Sequence, residues 1–264
     1  MYSFNYHRPR SVADAVALLS AHEDGKLMAG GQTYLPTLKQ RLAHPSDVID
    51  LAGIAELKGI KEEGGGITIG AMTRHADVTG SAVVKRLIPS LAELAELIGD
   101  PQVRNRGTIG GSISNNDPAA DYPGALLALA ATVRTNKREI PADSFFTGMF
   151  ETALDRDDIV TAVHFPKPEK GAYMKFPQPA SRFSLAGVYV ARTGGGVRVA
   201  VTGAAPCAYR WVDAENALAQ NFSPAAINGL KVDAGGLNAD IHASAEYRAH
   251  LIKVMAKRAV AAVH

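Results

Sequence analysis

Two pairs of adjacent glycines, each beside a hydroxyl residue, are the places in this chain where residue type and spacing suggest chemistry. They are Ala29-Gly30-Gly31-Gln32-Thr33 and Thr108-Ile109-Gly110-Gly111-Ser112. Adjacent glycines let the backbone turn tightly and admit a ligand where Cβ atoms would block it. The first pair falls between a predicted strand and a predicted helix start. Free N–H groups and the positive end of a helix dipole there suit an anion, with phosphate or pyrophosphate the natural choice. A plain tight turn with no ligand would have the same sequence. The second pair continues into Ser114-Asn115-Asn116-Asp117-Pro118-Ala119-Ala120-Asp121, whose short polar side chains could surround a polar ligand together with backbone donors. Two such turns in one chain favour a bipartite phosphate site more than either does alone.

Other chemistries lack their residues. No G-x-G-x-x-G occurs, so the usual dinucleotide fingerprint is missing. No G-x-x-x-x-G-K-[ST] and no G-x-S-x-G occurs either. The eight histidines show no H-x-x-x-H or H-E-x-x-H spacing, and His75, His242 and His250 read as structural or solvated. Cys207 is the single cysteine, which excludes an internal disulfide and a Cys-ligated zinc or iron–sulfur site built from this chain alone. Between Pro206 and Ala208 it reads as a small buried apolar residue. Arg104-Asn105-Arg106 suits either a phosphate clamp or a solvated loop. No catalytic residue and no metal ligand is expected.

The elements that must position the glycine turns can be read in order. Val12, Val16 and Leu19 recur at helical spacing behind Ser11, a candidate cap with Asp14. A short strand at Lys26–Ala29 leads into the first glycine pair, a helix over Tyr34–Leu42 follows, and Asp47–Leu51 is the next strand. Strands at Leu57–Glu62 and Ile67–Gly70 flank three glycines as a hairpin. Thr73 and Ser90 are N-cap candidates, Ser90 with Glu93. Gly99–Asp121 reads as one long polar loop, a kind of segment that is usually functional. A helix is predicted over Tyr122–Leu129, and strands over Ala131–Thr135 and Asp158–Phe165. The composition shifts at Phe165–Gly171, which predicts a domain boundary near residue 168. Beyond it come a hairpin, Leu185–Arg192 and Val197–Gly203, and helices over Val212–Ala219 and Ser244–Val263. In the last helix Tyr247, Leu251, Val254 and Arg258 are predicted to share one side.

Composition sets the class. The 264 residues are 47% hydrophobic and 20% charged, ordinary globular values that exclude disorder and fibrous repeats. With 28 basic and 26 acidic residues the charge balance argues for neither a nucleic-acid nor a membrane partner. No run of about 18 apolar residues is present, so no membrane span is expected. The N-terminal MYSFNYHRPR has no apolar stretch of the signal-peptide kind, and a cytoplasmic location is the expectation.

Taken together, AGGQTYLP at Ala29–Pro36, TIGGS at Thr108–Ser112, NNDPAADYP at Asn115–Pro123 and the closing stretch Asp240–Val260 resemble one family over essentially the whole chain. That family is the FAD-binding medium subunit of molybdenum hydroxylases, of the aerobic carbon monoxide dehydrogenase and xanthine dehydrogenase type. The resemblance implies an α+β fold: a p-cresol methylhydroxylase-type FAD-binding domain of two α/β subdomains, plus a small C-terminal α+β domain. The corresponding ranges are 1–168, divided at about 1–55 and 56–168, and 169–264. It implies non-covalent FAD, with Ala29, Gly30, Gly31, Gln32 and Thr33 holding the pyrophosphate through backbone N–H groups. Thr108, Ile109, Gly110, Gly111 and Ser112 would close over the same region, with Asp117 nearby. Asp121 would hydrogen-bond the cofactor, and Lys175 in AYMKFPQPAS would lie near the flavin. Thr33-Tyr34 stands where Ser-Leu is common, Ser112 where Asn is common, and Arg182 where some relatives carry an acid.

The same resemblance implies a division of labour. A large molybdenum–pterin subunit would oxidise the substrate, and a small subunit with two [2Fe–2S] clusters would wire it to this chain. The whole would assemble as a dimer of heterotrimers. One cysteine cannot hold such clusters, so the chain would borrow them. A self-sufficient FAD-dependent dehydrogenase or oxidase of similar fold is the alternative, and an assembly module that has lost its cofactor a third.

Overall fold

The structure is a computed structural model and describes residues 1–263. Its first unit is a three-stranded parallel sheet of β1 (Asn5–His7), β2 (Lys26–Met28) and β3 (Asp47–Asp50), with β3 in the centre. Between β1 and β2 runs α1 (Val12–Ala21), capped as the sequence predicts by the Ser11 hydroxyl, which accepts from the Asp14 N–H. Ala15 and Leu19 of α1 pack with Ile49, Leu51 and Ile54 in a small core. Between β2 and β3 lies α2 (Tyr34–Lys39), a single short helix reached through the first glycine pair.

The second unit is a five-stranded sheet, ordered β4 (Ile60–Glu63), β5 (Gly66–Gly70), β10 (Val160–Pro166), β6 (Thr132–Thr135), β7 (Glu139–Pro141). Every pairing in it is antiparallel. Its helices run in succession: α3 (His75–Gly80), α4 (Ala82–Leu87), α5 (Pro89–Glu96), α6 (Pro101–Arg104), α7 (Ile109–Asn115) and α8 (Tyr122–Ala128). A two-stranded hairpin, β8 (Phe146–Gly148) and β9 (Glu151–Thr152), projects from this unit.

The predicted long loop over Gly99–Asp121 is therefore two helices and their connections. Thr108 is the N-cap of α7, and its hydroxyl accepts from the Gly111 N–H at 3.2 Å. Glycine pairs have low helix propensity, so periodicity alone hides this helix, and tertiary packing of Ile109 and Ile113 supplies the stabilisation instead. Neither predicted cap at Thr73 or Ser90 forms. The Thr73 hydroxyl bridges the N–H and carbonyl of Gly59, while Ser90 lies inside α5 with its hydroxyl 2.6 Å from the Tyr189 hydroxyl.

The third unit is an antiparallel meander of β11 (Lys170–Pro177), β12 (Ser184–Thr193), β13 (Gly196–Thr202) and β14 (Tyr209–Arg210). Helix α9 (Val212–Gln220) and the long α10 (Ala245–Ala262) cover it. The face of α10 that packs carries Arg248, Leu251, Ile252, Met255, Ala256 and Ala259. This corrects the predicted stripe, since Tyr247 and Arg258 are exposed. Arg248 is buried because its guanidinium donates to the carbonyls of Leu185 and Gly203 and pairs with Asp240 at 2.7 Å. A periodicity reading treats such an arginine as polar and assigns it to solvent. Tyr173, Tyr189 and Ala200 of this meander belong to the same core as Leu91, Leu126 and Val163 of the second unit. Cys207 is half-buried rather than buried.

Candidate functional site

The two glycine turns meet. An added Cβ at Gly30 would stand 2.1 Å from the carbonyl oxygen of Arg106, and one at Gly111 would stand 3.1 Å from the Ala29 Cβ. The first distance is far below any real contact, so glycine at position 30 is what lets the two turns pack backbone to backbone. The sequence reading attributes these glycines to a ligand's approach, whereas the structure attributes Gly30 to the neighbouring turn. Gly31 has φ +74°, the left-handed region glycine favours, and this swings the chain into α2.

Between and beyond the turns lies a cavity of about 820 Å³, at the upper end of the range usual for cofactor sites. All three units contribute walls: the Lys26–Tyr34 segment, the Gly107–Asp121 segment, and Ser181–Phe183 from the turn between β11 and β12. Of the residues singled out by sequence, Ala29, Gly30, Gly31, Gln32, Thr33, Thr108, Gly110, Gly111, Ser112, Asp117 and Asp121 line it. Two do not. Ile109 is fully buried in the core and its N–H donates to the Thr73 carbonyl. Lys175 stands behind the wall: its ammonium donates to both oxygens of Asp121 at 3.1 Å and to the carbonyls of Leu97 and Arg182.

The turns differ in what they offer. Among the described residues, the N–H groups of Gly30, Gly31, Gln32 and Thr33 have no acceptor within the protein. The Thr33 hydroxyl makes no capping bond, so it too is open to the cavity. In the second turn the backbone donors are spent: Gly110 donates to Ala71, Gly111 to Thr108 Oγ1 and Ser112 to the Thr108 carbonyl. The second turn therefore shapes the cavity and supplies side chains, while the first supplies free donors.

Asp121 is buried, and its Oδ1 also accepts from the Tyr173 hydroxyl at 2.5 Å. Burial pushes its carboxyl above the usual range, against the opposing pull of Lys175 and Tyr173. Its side chain makes no capping bond to α8. Arg104 and Asn105 donate to the carbonyls of Ile98, Gly99 and Pro101, which ties both side chains to their own turn.

Two further polar atoms of the wall were missed by sequence reasoning. Tyr34 Oη and His75 Nδ1 are buried and make no hydrogen bond within the protein, and both residues line the cavity. Asp158 lines it too, with its carboxylate paired to Arg138 at 2.9 Å and Lys137 at 3.9 Å. Burial, with Arg104 adding to it, lowers the His75 ring to about 4 and keeps it neutral at pH 7. Asn116, read as one more polar loop residue, ends α7 with φ +43°. Its amide donates to the carbonyls of Gly148 and Glu151, pinning the β8–β9 hairpin whose tip, Phe150, faces the cavity.

Buried polar atoms without partners are uncommon in proteins. Here two belong to residues in the wall of a cavity that is largely apolar and carries a run of free backbone N–H groups. That donor set fits a large ligand with an anionic middle and polar ends, as FAD is. Comparison with known proteins agrees. The family described as FAD binding domain in molybdopterin dehydrogenase matches residues 2–168. This chain belongs to that family. The carbon monoxide dehydrogenase medium chain of Hydrogenophaga pseudoflava is 37% identical over 97% of this chain and 96% of its own length. The nicotine 6-hydroxylase medium subunit of Paenarthrobacter nicotinovorans is also 37% identical, over 98% and 96%. A solved structure of the Hydrogenophaga pseudoflava carbon monoxide dehydrogenase superposes with a TM-score of 0.91 at 38% identity, covering 99% of this chain and 97% of that one. The chain is thus a flavoprotein subunit of the oxidoreductase class, and the α+β flavin-domain fold implied by the resemblance is the fold observed. No helix among the described residues is long and apolar enough to cross a membrane.

Proposed function

We propose that this chain is the FAD-carrying electron-transfer subunit of a multi-subunit molybdenum hydroxylase. The observation that carries the reading is the run of free N–H groups over Gly30–Thr33 in the wall of a cavity that also holds the unpartnered buried polar atoms of Tyr34 and His75. These N–H groups would hold the FAD pyrophosphate, with Thr33 adding its hydroxyl and Ser112 and Asp117 facing it from the second turn. Asp121 would accept from the cofactor with the acceptor capacity that Tyr173 and Lys175 leave. When bound, the flavin supplies the capacity to pass electrons from one-electron donors to an outside acceptor. The protein binds it, orients it and screens it from water; Lys175 holds Asp121 and the Arg182 turn in place.

The remaining chemistry belongs to partners in this reading. A small subunit with [2Fe–2S] clusters would deliver the electrons, a large molybdenum–pterin subunit would oxidise the substrate, and the assembly would be a dimer of heterotrimers. Single Cys207 supports borrowed clusters, because each cluster needs four ligands of that kind. Relatives named for carbon monoxide and for nicotine are equally similar to this chain, which fits a substrate pocket located on another subunit. Phe150 and Phe183 are exposed at the cavity rim and offer an apolar face for the electron donor. The division near residue 168 would leave the glycine turns on one domain and the Arg182 turn on the other, so that the cofactor bridges them.

The test is a titration of the full chain with FAD, followed by flavin fluorescence quenching and by flavin absorbance retained after desalting. One FAD per chain is expected. Failure to retain flavin at any ratio would overturn the proposal.

A further inference from the structure

Near the start of the central strand of the parallel sheet, three side chains from separate segments converge. His7 ends β1, His22 follows α1, and Asp47 begins β3. His7 Nε2 lies 2.6 Å from Asp47 Oδ1, and His22 Nδ1 lies 3.2 Å from Asp47 Oδ2. One donor atom from each of the three lies within 4.8 Å of the others. The two rings stack with centroids 5.3 Å apart. Asp47 is 2% exposed, whereas the histidines are 26% and 35% exposed, so the cluster is rooted in the sheet and open on one side.

We infer that His7, His22 and Asp47 form a binding site for one divalent transition-metal ion of the zinc class. The donors are of the right kind, two imidazole nitrogens and a carboxylate, with water completing the shell on the open side. Bonds of about 2.0–2.1 Å at tetrahedral angles place donors about 3.3 Å apart. The His22–Asp47 separation already matches at 3.2 Å, the 2.6 Å His7–Asp47 contact, made to the other carboxylate oxygen, would open as a metal replaces the hydrogen bond, and all three donors already lie within 4.8 Å of one another. Two neutral imidazoles and one carboxylate give the site a charge of about minus one, which attracts a dication.

The surroundings hold the donors in place. The Arg156 guanidinium donates to the carbonyls of Leu19, His22 and Glu23, fixing the end of α1 that carries His22. Register in the sheet places Asn5 beside Asp47, so His7, two residues on, lies on the same face as the carboxylate. The glycine turn leaves the sheet after Met28, which pairs with Asp50. About 10 Å of strand separates that edge from Asp47, so this site is independent of the cofactor cavity.

Sequence spacing alone could not show this, because the ligands lie at positions 7, 22 and 47 with no motif between them. The test is calorimetric titration of the EDTA-treated full chain with zinc chloride. One zinc per chain is expected, with a rise in melting temperature. His7→Ala and His22→Gln are each expected to weaken binding tenfold or more, the second keeping a polar side chain at the end of α1. The double variant His242→Ala/His250→Ala, at two exposed histidines elsewhere, is expected to bind as the parent does. No saturable binding below millimolar zinc would overturn the inference. So would binding that survives both cluster variants, or binding lost in the control.

Discussion

Replacing Asp121 with alanine separates two roles for this carboxylate. In the structure it is buried, and it is the acidic partner of Lys175, whose side chain is only 3% exposed. Removing the acid leaves an ammonium buried with only two carbonyls, Leu97 and Arg182, to accept from it. Breaking a buried pair by deleting one member costs about 3–5 kcal/mol. For a chain of this size about 2–4 °C of melting temperature accompanies each kcal/mol, so Asp121→Ala should melt roughly 6–20 °C lower even without FAD. Lys175→Met should cost less, because the carboxyl it abandons keeps the Tyr173 hydrogen bond and can neutralise itself by taking a proton, a change burial already favours. The double variant Asp121→Ala/Lys175→Met removes both charges and should recover much of the loss. FAD affinity should fall in every variant lacking Asp121, by roughly one to two decades for a lost charged hydrogen bond. Thermal melts of cofactor-free protein and FAD titrations of the four proteins provide the data. An Asp121→Ala protein that melts within about 2 °C of the parent would refute the argument from the buried pair.

Other expectations concern the turns and the buried histidine. Gly30→Ala should disrupt the contact with Arg106, lower the melting temperature and abolish FAD retention together, whereas Gly111→Ala, with contacts of 3.0–3.1 Å, should cost no more than about 1 kcal/mol and act mainly on affinity. Equal melting temperatures for the two variants would contradict this. The His75 ring lies near 4 in the folded chain against 6.5 unfolded, so the unfolded state binds more protons between those values. Stability should therefore fall as pH drops from about 6.5 to 4, by up to about 3 kcal/mol, and His75→Gln should flatten that dependence in melts across the range. Asn116→Ala should free the β8–β9 hairpin, seen as faster amide exchange at Phe150 with little change around α8; unchanged exchange at Phe150 would count against the pinning role.

Much of this molecule was legible in the residues. Two strands of the parallel first unit followed from the strand–turn–helix–strand order over residues 26–51, and Ser11 capped as its spacing suggested, whereas the three-residue β1 is too short to show a pattern. The two glycine turns singled out in the sequence as a phosphate site both line the cavity, but the reason for glycine at position 30 is visible only in three dimensions, since the Arg106 carbonyl that excludes a Cβ comes from a distant turn. Helix α7 was hidden because Ile-Gly-Gly-Ser has poor intrinsic helix propensity, and its packing through Ile109 and Ile113 overrides that preference. Lys175 drew attention for its family position, yet its ammonium is consumed by Asp121 and two carbonyls, contacts that no local pattern encodes. The orphaned hydroxyl of Tyr34 and ring nitrogen of His75 could not be read from sequence, because an unpartnered polar atom is a property of packing.

In the proposed function, electrons reach the flavin through partner subunits and not from an organic substrate bound to this chain. Anaerobic mixing tests it most directly: the FAD-loaded chain alone, and the complex purified with its iron–sulfur and molybdenum subunits, are each challenged with carbon monoxide, nicotine, xanthine and an aldehyde while flavin absorbance is followed. The expected result is that the isolated chain keeps its oxidised flavin spectrum with every compound, whereas at least one of them bleaches the flavin of the complex. Rapid bleaching of the isolated chain by any of these compounds would contradict the account and establish a self-sufficient dehydrogenase.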